Sequence, residues 1–294
     1  MARTASGPAS AEPDWESLLR QAAGRLLPRA GELSSARLEA ELLAAHVLSA
    51  TRAALLTAGP PAPAARARFE SLVAERVATA RPVAYLVGWR DFRDLRLVVD
   101  ERVLVPRPET ELLLEVFERL LSEGRLPPGP VADRGTGSGA LAVCAAAWRP
   151  VLACDCSHAA LAVARANLVA HPPRHAVLLV AADGLGAVAP KRLAAVLANP
   201  PYIEAADFDG LPADVRDHEP RGALVPAEAS VALAFSRLLA ESAAALAPGG
   251  WLLTEVGAGQ AADVSSAARA AGWQEVSVAV DLAGHGRVVC ARRA

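Results

Sequence analysis

The chain has 294 residues, 53% hydrophobic and 21% charged, with a formal net charge of −2, which suits one large globular domain or two smaller ones. No basic stripe is visible and only Lys191 is lysine among 30 Lys+Arg residues, which disfavours tight binding of nucleic acid through its phosphates. No apolar stretch is long enough to span a membrane.

Residues 1–13 lack the basic start and apolar core of a signal peptide and read as a disordered lead-in. The four cysteines, Cys144, Cys154, Cys156 and Cys290, contain no C-x-x-C pair. They read as reduced thiols in a cytoplasmic protein, and no metal site is expected.

Residues 14–80 read as helices only. Asp14 is placed to cap a helix with Trp15, Leu18, Leu19, Ala22 and Leu26 on one face, and a break is expected from Pro28 to Gly31. Ser35 caps a second helix with Leu38, Leu42, Leu43 and Val47. A short piece, 51–56, stops at Gly59-Pro60-Pro61, and a fourth helix runs over 64–79 with Phe69, Leu72, Val73 and Val77 aligned. These form a small bundle, residues 1–80. Residues 81–107 change character: the alternation of Leu95, Leu97 and Val99 predicts a β-hairpin linker. Val105-Pro106-Arg107-Pro108 is extended, and a helix follows over 109–121.

From Val131, strands and helices alternate, which predicts a mainly parallel sheet covered on both faces over the last domain, 108–294. Strands are expected at 131–133, 151–155, 177–181, 193–199 and 251–256. A turn is expected at Pro248-Gly249-Gly250, and an antiparallel pair, 273–280 with 287–291, closes the sheet.

The chemistry gathers at the strand ends. Gly135-Thr136-Gly137-Ser138-Gly139 lies between a strand and a helix, where glycines let backbone and helix terminus approach a ligand. The spacing is G-x-G-x-G, unlike the G-x-G-x-x-G of dinucleotide binders. Asp155, about twenty residues on, is placed to hold ribose hydroxyls. Asp183, followed by Gly184, is placed to accept from an adenine amino group. Taken singly, each Asp reads as a helix cap or a solvated loop residue. Their placement at successive strand ends makes a shared site the better reading. Asn199-Pro200-Pro201-Tyr202 closes the strand at 193–199. Alone it reads about equally well as a turn. Beside the glycine loop, it suits a planar NH2 group that stacks on Tyr202 and donates to Asn199 Oδ1 and the Pro200 carbonyl.

These segments resemble the HemK/PrmC family, the S-adenosylmethionine-dependent methyltransferases of the glutamine in peptide chain release factors. The likeness rests on Pro82-Val83-Ala84-Tyr85-Leu86 with Gly88, Val105 through Glu111, the glycine loop, Asp155, Asn199 through Tyr202, Asp214-Val215-Arg216, and Glu219-Pro220. It covers about residues 15–294. The resemblance implies a class I methyltransferase domain, Rossmann-like and α/β, with a mostly parallel sheet and an antiparallel end. It implies that Gly135 to Gly139, Asp155, Asp183, Gly184 and Asn199 bind S-adenosylmethionine, which leaves as S-adenosylhomocysteine. Asn199, Pro200, Pro201 and Tyr202 would hold the substrate amide, with Asn199, Pro200 and Tyr202 catalytic. The helical domain would help dock a release factor carrying a Gly-Gly-Gln motif. A monomer, with neither nucleic acid nor membrane as partner, is expected.

Three positions depart from the family pattern. Arg134 precedes the first glycine and requires a carboxylate partner if buried. Gly184 stands where a bulky residue is common, so one wall beside adenine is expected to be missing. Residues 225–230 lack the usual Gly- and Asp-containing turn. A nucleic-acid amino-methyltransferase of adenine N6 or guanine N2 type shares the Asn-Pro-Pro-Tyr tetrad and remains an alternative, as does a methyltransferase of another protein glutamine. A non-catalytic binding protein on this fold is a third reading, although it would not need to keep both Asn199 and Tyr202.

Overall fold

The computed structural model describes residues 14–294; the expected lead-in at 1–13 lies outside them. The chain divides into two compact units, one ending at Val87 and one beginning at Gly88.

The first unit is helical, with α1 (Trp15–Ala30), α2 (Leu33–Val47), α3 (Pro63–Thr79) and α4 (Val83–Val87), and a 3-10 turn at Ala53–Thr57. Asp14 caps α1 by accepting from the Ser17 N–H at 2.9 Å. Pro28, expected to break the chain, lies inside the last turn, and the helix ends instead at Gly31, where φ is 78°. α2 starts at Leu33, two residues ahead of the expected cap Ser35, and no side chain caps it. Its buried face carries Ala36, Ala40, Leu43 and Ala44, while Leu38 is exposed. The small alanines let α1 approach closely, which an apolar stripe of leucines would prevent. Arg76, 2% exposed, forms a two-armed pair with Glu39 at 2.8 and 3.1 Å. Residues 83–87, expected to lead into a hairpin arm, are helical.

The second unit opens with the hairpin β1 (Trp89–Phe92) and β2 (Leu95–Val98), paired antiparallel. Then come α5 (Glu111–Ser122), β3 (Val131–Arg134), α6 (Ala140–Ala145), β4 (Val151–Asp155), α7 (His158–Ala170), β5 (Val177–Ala181) and β6 (Leu193–Ala198). Two single turns, α8 (Ala213–Arg216) and α9 (Arg221–Leu224), precede α10 (Val231–Ala245), β7 (Leu246–Glu255), α11 (Ala261–Ala270), β8 (Gln274–Val280) and β9 (Gly286–Arg292). The sheet has seven strands in the order β5-β4-β3-β6-β7-β9-β8. The first five run parallel and the last two pairings are antiparallel.

Both faces are covered, which explains the unbroken apolar runs. In β6, Ala195 and Leu197 join the core beneath α5 and α6, where Leu113 and Phe117 lie. Leu193, Val196 and Ala198 join the opposite core with Phe235, Leu238 and Val264. Pro248-Gly249-Gly250, expected as a turn, sits within β7. Leu193 pairs with Leu246 but Ala195 with Trp251, so the residues between form a bulge. Backbone bonds hold it, from Gly249 N–H to Arg293 O at 3.1 Å and from Arg293 N–H to Gly250 O at 2.8 Å. Among the described residues no helix is long and apolar enough to cross a membrane, and no cluster of three or more His, Cys, Asp or Glu suits a metal.

Candidate active site

The carboxyl ends of β3, β4, β5 and β6 share one edge, and a cavity of about 290 Å³ opens there. Gly135, Thr136, Gly137 and Ser138 line it, whereas Gly139 is not among its lining residues. Gly135, Gly137 and Gly139 have φ of 76°, 52° and 83°, backbone that side chains rarely adopt. The N–H groups of Gly135 and Thr136 both donate to Cys154 O at 2.9 Å, which pins the loop to β4. A side chain at Gly139 would stand 3.1 Å from Ala164 Cβ, so the loop also packs tightly on α7.

Asp155 lies on the cavity. Its Oδ2 accepts from the Gly137 N–H at 2.9 Å and its Oδ1 from the Ser157 N–H at 2.8 Å. Each oxygen keeps a second lone pair, enough for a diol. Asp133, 1% exposed, also lines the cavity. Its Oδ2 accepts from Thr136 Oγ1 at 2.6 Å and from the Ala142 N–H at 3.0 Å. Its Oδ1 is buried with no hydrogen-bond partner among the described residues. Burial pushes the Asp133 carboxyl up to about 7 despite those bonds. An orphaned buried acceptor beside a glycine loop and a diol-sized acceptor suits S-adenosylmethionine, whose ammonium would supply the missing donor.

Asp183 and Gly184 reach the same cavity. Arg237 already donates to Asp183 Oδ2 at 3.1 Å and to its carbonyl at 2.7 Å, so an adenine amino group would share that carboxylate with a guanidinium. The partner of Arg134 is Glu241, with Nε to Oε2 at 3.1 Å. Glu241 also accepts from Arg237 Nε at 2.7 Å and from the Leu185 N–H at 3.2 Å. Its carboxylate fills the space a side chain at Gly184 would take. Two of the three departures from the family pattern, Arg134 and Gly184, are therefore linked, because the carboxylate that neutralises Arg134 stands where the bulky wall would be.

Asn199 and Pro201 line the cavity, whereas Pro200 and Tyr202 are not among its lining residues. Tyr202 packs against the core beneath α10 and α11, and its hydroxyl donates to Glu255 Oε1 at 3.4 Å. Its ring finds apolar cover and its hydroxyl an acceptor in Glu255. Burial, with the Glu255 charge beside it, pushes the Tyr202 phenol up to about 12.

Two groups escaped sequence reasoning. Asn199 Nδ2 donates to Thr110 Oγ1 at 3.1 Å, and Thr110 Oγ1 donates to Glu255 Oε2 at 2.6 Å. Glu255 is 2% exposed, and burial pushes its carboxyl up to about 7. The available signal was one acid at the end of the apolar run 251–256. Likewise, Arg107 Nη2 contacts both Glu219 oxygens at 2.7 and 2.8 Å, which ties the extended segment before α5 to the loop ahead of α9. Burial pushes the Glu219 carboxyl up to about 7, against the pull of Arg107.

Comparison with known proteins agrees with this geometry. Residues 17–88 match the PrmC N-terminal domain and residues 108–211 the methyltransferase small domain. A release factor glutamine methyltransferase of Moorella thermoacetica is 40% identical, covering 94% of this chain and 98% of the relative. Those of Nitratidesulfovibrio vulgaris and Rhodopirellula baltica are 38% and 39% identical, covering 95% and 88% of this chain and 95% and 90% of the relatives. Among solved structures, the hMettl16 catalytic domain in complex with MAT2A 3'UTR hairpin 6 superposes with a TM-score of 0.55 at 14% identity, covering 78% of this chain and 81% of that one. That likeness concerns the fold, which is the class I S-adenosylmethionine-dependent methyltransferase fold. With relatives this similar over nearly its whole length, the chain belongs to the release factor glutamine methyltransferase family.

Proposed function

We propose that this protein methylates the side-chain amide nitrogen of a glutamine, the one in the Gly-Gly-Gln motif of a peptide chain release factor, in the cytoplasm. The observation that carries the reading is Asn199. It closes β6 on the cavity, and its Nδ2 is already engaged by Thr110. Its Oδ1 is left as the acceptor for an incoming NH2 group; among the described residues nothing donates to it.

S-adenosylmethionine, when bound, supplies a methyl group on a positively charged sulfur. The protein's share is placement. An amide nitrogen is a poor nucleophile because its lone pair is delocalised into the carbonyl. A hydrogen bond from the substrate NH2 to Asn199 Oδ1 holds the nitrogen in one orientation and raises its electron density. Positioning of this kind lowers a barrier by several kcal/mol, with an upper range of about 7–11. In the transfer the methyl–sulfur bond would break as the N–C bond forms, its electron pair staying on sulfur, and the nitrogen, then strongly acidic, would release its proton to water without prior help from a base. Asp155 would hold the ribose hydroxyls and Asp133 the ammonium, and the backbone of the glycine loop would lie against the bound cofactor. Pro201 supplies apolar wall.

The test is methyl transfer from labelled cofactor to purified release factor, with DNA and RNA in parallel, and mass spectrometry to place the label. A methyl on the glutamine side-chain nitrogen is expected. Asn199→Ala should lower turnover about 10²–10³-fold while cofactor affinity changes little, because the lost bond acts on the chemical step. Label on nucleic acid with none on protein, or on lysine or arginine, would overturn the reading.

A further inference from the structure

We propose that Thr110 and Glu255 form a positioning pair that fixes which end of the Asn199 amide faces the cavity; this deepens the glutamine-methylation reading and rests on it. The two ends of a carboxamide are nearly the same shape, so packing alone does not choose between them. A flipped Asn199 would present its NH2 to the substrate NH2, donor against donor, and the orienting bond would be lost.

The proton inventory makes the choice. An ionised Glu255 only accepts. Its Oε2 lies 2.6 Å from Thr110 Oγ1, so the single Thr110 proton is committed there. What Thr110 has left is a lone pair. Asn199, 3.1 Å from the same oxygen, must therefore donate with Nδ2, which turns Oδ1 the other way. Tyr202 holds the far oxygen of Glu255 at 3.4 Å. Thr110 is 5% and Glu255 2% exposed, so water does not compete for these bonds.

The fold brings the three together. β6 and β7 are parallel neighbours with Ala198 beside Thr254, which sets the following residues, Asn199 and Glu255, side by side. Thr110 arrives from the 3-10 turn Pro108–Thr110 ahead of α5.

The test compares Thr110→Val and Thr110→Ser at pH 8, above the Glu255 pKa of about 7. The measured quantities are kcat and KM on release factor, and cofactor affinity by calorimetry. Thr110→Val removes both the donor and the acceptor. It should lower kcat roughly three- to tenfold, the worth of one hydrogen bond, with KM and cofactor affinity within about twofold. Thr110→Ser should recover most of the rate. In an Asn199→Ala background, Thr110→Val should cost nothing further, because no amide remains to orient. A valine variant as fast as wild type, a serine variant as slow as valine, or an undiminished valine effect without Asn199 would each overturn the proposal. Should the valine variant fail to fold, Thr110→Ala takes its place with the same expectations. Absence of methyl transfer to the release factor by the wild type would remove the underlying reading and the proposal with it. An active wild type with an indifferent Thr110 removes the proposal alone.

Discussion

Glu255 is held where a carboxylate is costly. It ends a buried strand with 2% exposure, and burial pushes its pKa from 4.5 up to about 7, with the Glu109 charge adding to the rise and the bonds from Thr110 and Tyr202 opposing it. A folded-state pKa above the unfolded value means that the folded chain binds the extra proton between those limits. Stability contributed by this group is therefore intact below pH 4.5 and is lost as pH rises to about 7. The full span corresponds to a loss on the order of 3 kcal/mol. Glu255→Gln stays neutral throughout and keeps the shape. Its melting temperature should exceed that of wild type by several degrees at pH 8 and by much less at pH 5. A difference that does not change with pH would show that the carboxylate is not strained by burial. A group that costs stability at working pH and still occupies the end of β7 is in keeping with its proposed hold on Thr110. Gly184 and Arg134 show a second trade at this scale, since Glu241 supplies the charge partner of one and fills the side-chain space of the other.

Among the elements, the glycine loop depends on more than its own glycines. Asn167 on α7 is fully buried and joins it to the hairpin. Its Nδ2 donates to Ser138 O at 2.8 Å and to Val98 O at 3.0 Å, and its Oδ1 accepts from the Val98 N–H at 2.7 Å. Asn167→Ala would strand three backbone groups, at a cost on the order of 3 kcal/mol, and should also weaken cofactor binding through the loosened Ser138. Chemical denaturation and calorimetry measure both; an unchanged midpoint would mean that the stitch contributes nothing. The sequence made the central strands of this region plain, because β6 is buried along its whole length and reads as an unbroken apolar run, and β4 is apolar up to Asp155. It was less informative wherever a local rule met a tertiary demand. Pro28 costs α1 the bond its own N–H would have made one turn back, but the helix ends two residues later at Ala30, so the loss is confined to its last turn. The bulge at 248–250 stays in β7 because Arg293 supplies its backbone partners. Thr110 and Glu255 are 145 residues apart and Arg107 and Glu219 are 112 apart, so no spacing rule brings either pair together. Asn199, Asp155 and the glycine loop were legible because each sits at a strand end that periodicity locates.

At the scale of the molecule, the two units are unequal in what the chemistry asks of them. All the residues that line the cavity fall between Arg102 and Arg237. Both large apolar cores are likewise built from residues after Gly88. The first unit has its own buried set, including Leu26, Leu43, Phe69 and the Arg76–Glu39 pair. A fragment of residues 88–294 therefore has what it needs to fold and to bind S-adenosylmethionine, and calorimetry should give an affinity within about threefold of the full chain, a difference of less than one hydrogen bond. If the helical unit docks the release factor, the loss should appear only with the intact protein substrate. Turnover of a short peptide carrying the glutamine should be similar in the fragment and the full chain, whereas kcat/KM on intact release factor should fall at least tenfold, about 1.4 kcal/mol of lost recognition. The comparison separates docking from folding, because a fragment that had lost its structure would fail with peptide and cofactor as well. Equal kcat/KM on the intact substrate would leave the helical unit without a docking role.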